Sequence, residues 1–155
     1  MDIRELYSDL RQIQNREETG KAYDGCGTVE DWDVLVEFFE YVAEKYKDSM
    51  SPWAEAFMQV VSWQFQTMYE GAETYYSNAY GDSDYVTITR VTAFLRENGY
   101  DEIAEPYGLA AADCEQYQYP EDKIDLLPDD WIETHEQVVW DFYVEILEKH
   151  KEDFA

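Results

Sequence analysis

Apolar residues recur at three- and four-residue spacing along most of this chain, the period of a single helix face, and the segments so marked are bounded by capping residues and glycines. Ile3, Leu6, Leu10 and Ile13 mark the first, an amphipathic helix over residues 2–18 that ends before Gly20. Thr28 is a good N-cap, with Asp31 at the third helical position approximating a capping box. The helix it opens runs to about Asp48. It carries Trp32, Leu35, Val36, Phe39, Val42, Ala43 and Tyr46 on one broad apolar face and Val34, Phe38 and Tyr41 on a second flank. Residues 51–82 hold the densest aromatic and aliphatic content and form the central packing element. Ser51 caps it, and Pro52 stands at the first helical position, where its missing N–H costs nothing. Trp53, Phe57, Val60, Val61, Phe65 and Met68 keep the helical period, Gly71 bends the run, and Tyr75 and Tyr76 resume it up to a left-handed cap at Gly81.

Residues 82–98 carry two conflicting signals. Tyr85, Val86, Thr87, Ile88, Thr89, Val91 and Thr92 favour a strand, whereas Ile88, Val91 and Leu95 fit a helix face. The length of the segment, its acidic start and Gly99 at its end decide for helix. Asp101 caps a shorter helix packed through Ile103, Ala104, Tyr107 and Leu109, with Gly108 inside it. Residues 113–130 are acidic, bear tyrosines and are interrupted by Pro120 and Pro128, so they read as one long loop. A last helix runs from Trp131 to about Lys149. Trp131, His135, Val138, Val139, Phe142 and Ile146 lie on one side of it and Trp140, Val144 and Leu147 on another, so it is either sandwiched in the core or forms a partner surface. The expected architecture is all-α: a single domain over residues 1–155, a bundle of five to seven helices with an N-terminal helix in 1–21 and one long acidic loop.

Charge changes this picture more than composition does. Of 155 residues, 45% are hydrophobic and 17% aromatic, enough to build a core, yet 36 acids face 11 bases for a net charge of −25. Residues 1–21 are nearly balanced, with Asp2, Glu5, Asp9, Glu17 and Glu18 against Arg4, Arg11, Arg16 and Lys21, so almost all of the surplus lies beyond them. Such a charge disfavours direct binding to nucleic acid or to an anionic membrane, and its complement is a basic protein. No apolar run reaches the ~18 residues of a membrane span and no signal-peptide pattern opens the chain. Cys26 and Cys114 stand far apart without a CxxC, as two reduced thiols of a cytoplasmic protein.

Signatures of chemistry are mostly missing. His135-Glu136 begins an HExxH motif, but Val139 occupies the place of the second histidine. Asp82-Ser83-Asp84 resembles the start of a calcium loop, but Thr87 and Ala93 replace its glycine and its glutamate. The glycines of 19–27 match no phosphate-binding loop, and no serine stands in GxSxG. Neither a cofactor nor a metal is expected, and an enzyme would have to use a carboxylate pair picked from an abundance of acids.

A more informative pattern is the polar band of the second helix: Glu30, Asp33, Glu37, Glu40, Glu44 and Asp48, spaced three, four, three, four and four. Like charges at this spacing repel by roughly 0.2–0.5 kcal/mol per pair, and a helix under no other pressure would interleave lysines. Asp129, Asp130 and Glu133 at the start of the last helix form a second acidic group. These nine residues are the candidate partner-binding set.

The segment Glu70-Gly71-Ala72-Glu73-Thr74-Tyr75-Tyr76-Ser77-Asn78, followed by Gly81 and led by Trp63 and Gln64, resembles the signature of the bacterial DNA-mimic-protein family. That signature has an NGGF-type element before a glutamine, two aromatics and an asparagine. Tyr69, Glu70 and Ala72 stand here for the Asn, Gly and Phe, and Thr74 for the glutamine; the comparison extends over about residues 57–98. The resemblance implies a helical homodimer whose carboxylates imitate DNA phosphates and block the nucleic-acid-binding surface of a repressor, a nucleoid protein, or a restriction or CRISPR nuclease. The alternatives are an immunity protein against a basic toxin and a small hydrolase using paired carboxylates.

Overall fold

Helix-forming periodicity wins at every described segment of the chain. The computed structural model describes residues 2–18, 29–83, 86–112 and 128–154. Cys26, Cys114, the glycine-rich 19–27 stretch and most of the expected acidic loop, 113–127, lie outside the described residues. Within them stand eight α-helices, a terminal 3-10 turn at Lys151–Phe154 and no strand: α1 Ile3–Glu18, α2 Val29–Lys45, α3 Pro52–Glu70, α4 Ala72–Ser83, α5 Val86–Glu97, α6 Asp101–Ala112, α7 Pro128–Thr134 and α8 Glu136–Lys149. The fold is all-α.

The chain divides into two compact units, Met1–Phe57 with Glu136–Ala155, and Met58–His135. In the first unit α1 opens on Asp2, whose Oδ1 accepts the Arg4 backbone N–H at 2.8 Å as an N-cap. Its face of Leu6, Leu10 and Ile13 is buried. Tyr7 is buried beside it, with its ring edge-on to Phe38 of α2 at 4.9 Å and its hydroxyl donating to the Leu147 carbonyl of α8 at 2.8 Å. Burial, reinforced by Glu148 and Asp153, pushes the Tyr7 hydroxyl far above its ordinary pKa, so it stays a donor. Aromatic pairs continue the core: Trp32 with Trp140 at 6.0 Å, Phe57 with Tyr143 at 5.8 Å, and Trp53 against Tyr46, Phe154 and a parallel His150 ring 4.3 Å away. Such pairs contribute ~0.5–1.5 kcal/mol each beyond the area they bury.

α8 is buried on both of its apolar sides, Val139, Phe142 and Ile146 on one and Trp140, Val144 and Leu147 on the other, which is the core alternative of the two expected for it. On α2 the buried line is Leu35, Phe38 and Val42, so the core contact lies between the two expected flanks and leaves Val36 exposed.

The second unit is held by a chain of buried hydroxyls. Trp63 Nε1 donates to the Tyr76 hydroxyl at 3.0 Å, which donates to the Tyr107 carbonyl at 2.9 Å. Tyr75 donates to Gln59 Oε1 at 2.7 Å, which leaves the Tyr107 hydroxyl to donate to Tyr75 across 2.8 Å. α3, α4 and α6 are thereby tied by polar groups that would be costly to bury unpaired. α5 is a helix as expected, with Ile88, Val91 and Leu95 buried, and the Thr92 hydroxyl turns back to the Ile88 carbonyl at 2.7 Å. α6 runs through Gly108, where a Cβ would crowd the Thr92 side chain of α5 at 3.0 Å.

Punctuation follows the glycines in part. Gly71, with φ +91°, separates α3 from α4 as expected. Gly99, with φ +84°, closes α5: Tyr100 N–H bonds the Leu95 carbonyl at 2.7 Å and Gly99 N–H the Arg96 carbonyl at 3.3 Å, the paired bonds of a Schellman motif. Gly81 is no stop, since α4 continues to Ser83. The expected last helix is broken at His135, which takes the count of α-helices to eight. There the Thr134 hydroxyl donates to the Asp130 carbonyl at 3.0 Å and His135 Nδ1 lies 3.0 Å from the Trp131 carbonyl, so side chains occupy the acceptors that would have continued the ladder. At the C-terminal end of α3, Phe65 and Met68 are exposed while Gln64 and Thr67 are buried, the reverse of the polarity-based expectation. The buried line Trp53, Phe57, Val60, Gln64, Thr67 keeps a strict four-three spacing, and the helix holds that register in preference to following hydropathy.

Two outcomes are expected. Tyr76→Phe removes the acceptor of Trp63 and a donor to α6, and should cost ~1–3 kcal/mol in urea unfolding with little change in the folded helix signal. His150 is held below its ordinary pKa by burial first and by Lys149, against the opposing pull of Asp153. The unfolded chain therefore binds more protons between the ordinary value of 6.5 and the lowered one. Its contribution to stability is complete above that window and is lost as pH falls through it. Wild type should lose stability relative to His150→Gln on acidification from about pH 7, read as the difference between their unfolding midpoints.

Candidate partner-binding surface

α2 presents its acids as the sequence spacing requires. One turn of α-helix is 3.6 residues, so Asp33, Glu37, Glu40 and Glu44 fall on one side, opposite Leu35, Phe38 and Val42. Asp33, Glu40 and Glu44 are exposed and Glu37 is half-buried. Glu30 lies within the α2 backbone, but its side chain is outside the described residues. From Asp33 to Glu44 the ridge spans ~17 Å at 1.5 Å per residue.

Asp48 does not belong to this ridge. α2 ends at Lys45, and Asp48 sits exposed in the bend at 46–49 that leads to α3. Just past the helix end Tyr46, whose N–H still bonds the Val42 carbonyl at 3.1 Å, donates its hydroxyl to Asp153 Oδ2 at 2.8 Å and meets Trp53 edge-on at 5.5 Å. Burial first, and then the Asp153 carboxylate, raise the Tyr46 pKa and keep the phenol protonated. Lys47 turns back to Glu44 at 2.7 Å and partly neutralises that end of the row.

The second acidic group sits on α7, in the other unit. Asp129, Asp130 and Glu133 are all exposed. Asp129 has a structural task that local spacing does not reveal: its Oδ1 accepts the Ala72 backbone N–H at 3.3 Å, at the N-terminus of α4. A carboxylate there satisfies an orphan amide and opposes the positive end of the helix dipole. Asp130 and Glu133 make no such contact among the described residues.

A further acidic row went unnoticed. Asp141, Glu145 and Glu148 of α8 follow one another at four- and three-residue spacing, the first two exposed. Glu148 meets Arg11 Nε of α1 at 3.4 Å, and Asp141 accepts from Gln137 Nε2 at 3.2 Å. The row is written in the helical periodicity of 141–148, between the two apolar sides of the same helix. α2 and α8 both belong to the first unit, so that unit carries two acidic helical rows.

Among the described residues no group of three His, Cys, Asp or Glu side chains converges to hold a metal ion, and no helix is long and apolar enough to cross a membrane. Comparison with family models, with curated proteins and with solved structures finds no match to this chain.

Asp129→Ala should cost about 1 kcal/mol, the usual worth of a helix N-terminal acceptor. Glu133→Ala on the same short helix should stay within ~0.5 kcal/mol. Urea unfolding of both variants checks the difference.

Proposed function

We propose that the chain is an acidic DNA mimic that acts in the cytoplasm by occupying the nucleic-acid-binding surface of a basic protein, and that it works by binding and not by catalysis. The observation that carries this reading is the α2 row, in which Asp33, Glu37, Glu40 and Glu44 stand on one side of a helix whose opposite side is fixed in the core. Four carboxylates over ~17 Å give one charge per roughly 5 Å, a diluted form of the one phosphate per ~3.4 Å along a DNA strand. A rigid helix loses little side-chain and backbone freedom on docking, which favours a charged ligand that must compete with a stiff polyanion.

The net charge of −25 supports the same reading through association kinetics. Complementary fields steer encounter and raise on-rates, and salt screens the effect over a Debye length of ~8 Å at physiological ionic strength. The resemblance of residues 57–98 to the DNA-mimic family points in the same direction. It concerns a packing element, so it does not choose which carboxylates make contact.

The test retains partners from the source cell on the immobilised protein at low salt, elutes them with a salt gradient and challenges each purified complex with duplex DNA. Duplex DNA should displace the partner. Asp33→Lys with Glu40→Lys should weaken binding by about tenfold or more while the helix signal stays unchanged. A partner that binds DNA and this protein at the same time, or an affinity untouched by the double reversal, would overturn the proposal. A retained toxin with no nucleic-acid substrate would instead assign the row to an immunity role.

A further inference from the structure

Bases are scarce in this protein, yet three of the eleven line one groove. Arg4 and Arg11 stand seven residues apart on α1, two turns or ~10.5 Å along one side of the helix. Lys151 comes from the terminal 3-10 turn and sets its ammonium over the Tyr7 ring, 5.2 Å from the centroid. Tyr7 is almost fully buried and forms the floor, while Ile3 and Phe154 supply apolar walls. This half-open groove has a volume of about 600 Å³, within the range of small-molecule sites.

Neutralising the acidic surface does not account for this grouping. Arg4 reaches Asp2 only at 3.8 Å and Arg11 reaches Glu148 at 3.4 Å, each through Nε and not through the bidentate fork of a strong guanidinium–carboxylate pair. Both side chains are mostly exposed, where such pairs contribute ~0–1 kcal/mol. Asp2 and Glu152 share the lining and Glu148 meets Arg11 at 3.4 Å, so the three cations face as many carboxylates at close range in a chain of −25.

We infer that this groove binds a small organic anion: a phosphate or carboxylate head held by Arg4, Arg11 and Lys151, with a flat apolar body lying between Ile3 and Phe154. An anion head accepts the planar donors of a guanidinium well, and an apolar body gains by covering the half-buried Ile3 and Phe154 side chains. A purely inorganic ion would use the cations and leave the apolar walls wet. The site touches the α8 row through the Arg11–Glu148 pair and is separate from the α2 row on which the proposed function rests.

Titration calorimetry on the full chain tests it with three probes: phenyl phosphate, benzoate and inorganic phosphate. Saturable binding of phenyl phosphate or benzoate with a Kd near or below ~1 mM is expected, the better of the two at least tenfold tighter than inorganic phosphate. Arg4→Gln with Arg11→Gln should weaken that binding by tenfold or more, and so should Lys151→Gln, which lies in the short terminal turn and keeps the inference testable if the double variant fails to fold. Resonance shifts in amide spectra should centre on residues 3–11 and 151–154. The inference is overturned by any of three results: no saturation by either organic probe, equal affinity for inorganic phosphate, or binding unaffected by the substitutions.

Discussion

Self-repulsion among 36 carboxylates is the constraint this structure has to meet. Each acid placed on the surface raises the electrostatic free energy of the compact state, and surface ion pairs return little of it. What offsets the repulsion is aromatic packing. Trp32 on Trp140, Tyr7 on Phe38 and Phe57 on Tyr143 fill the first unit, and Trp63, Tyr75, Tyr76 and Tyr107 interlock by rings and hydroxyls in the second. The heavy use of tyrosine and tryptophan is thus the counterpart of the acidity: these side chains bury large areas while their polar atoms find partners in the core.

That solution has a geometric consequence. A helix whose core side is fixed by large rings has only its opposite side for charge, so acids fall into rows by the helical period. Asp33, Glu37, Glu40 and Glu44 on α2 and Asp141, Glu145 and Glu148 on α8 are both of this kind. Regularity of charge therefore follows from the core, and functional selection would have acted on rows that packing had already laid out. Charge reversal at exposed row positions separates the two causes because it leaves the core untouched.

The fold was legible wherever the determinant was local. Three-and-four spacing located the described helices other than α7, which it merged with α8, Ser51 marked a start, and Gly71 and Gly99 marked ends because only glycine enters φ near +90° at low cost. Reading failed where a distant or competing contact decided. The break at His135 comes from a hydroxyl and an imidazole taking the carbonyls of α7, which apolar periodicity cannot register. Gln64 and Thr67 are inside and Phe65 and Met68 outside because register outranks hydropathy at that end of α3. In the candidate surface, α2 was legible as a row. The engagement of Asp129 with Ala72 joins residues 57 positions apart and left no local trace, and Asp48 is off the row because α2 ends at Lys45.

Placement of the few bases carries the argument one step further. If cations served only to relieve repulsion, the lowest-energy arrangement would intersperse them along the acidic rows at four-residue spacing, where opposite charges stabilise a helix. Lys47 beside Glu44 does this at one end of α2, and the remainder of that row receives no lysine or arginine between Asp33 and Glu44. Arg4, Arg11 and Lys151 are instead gathered along one groove, although Arg11 also meets Glu148 of the α8 row at 3.4 Å. An arrangement that keeps like charges together on both the acidic and the basic side departs from the electrostatic optimum twice in the same unit. Each departure is intelligible if a ligand of opposite charge completes it: a cationic surface along α2, and a small anion in the groove of α1.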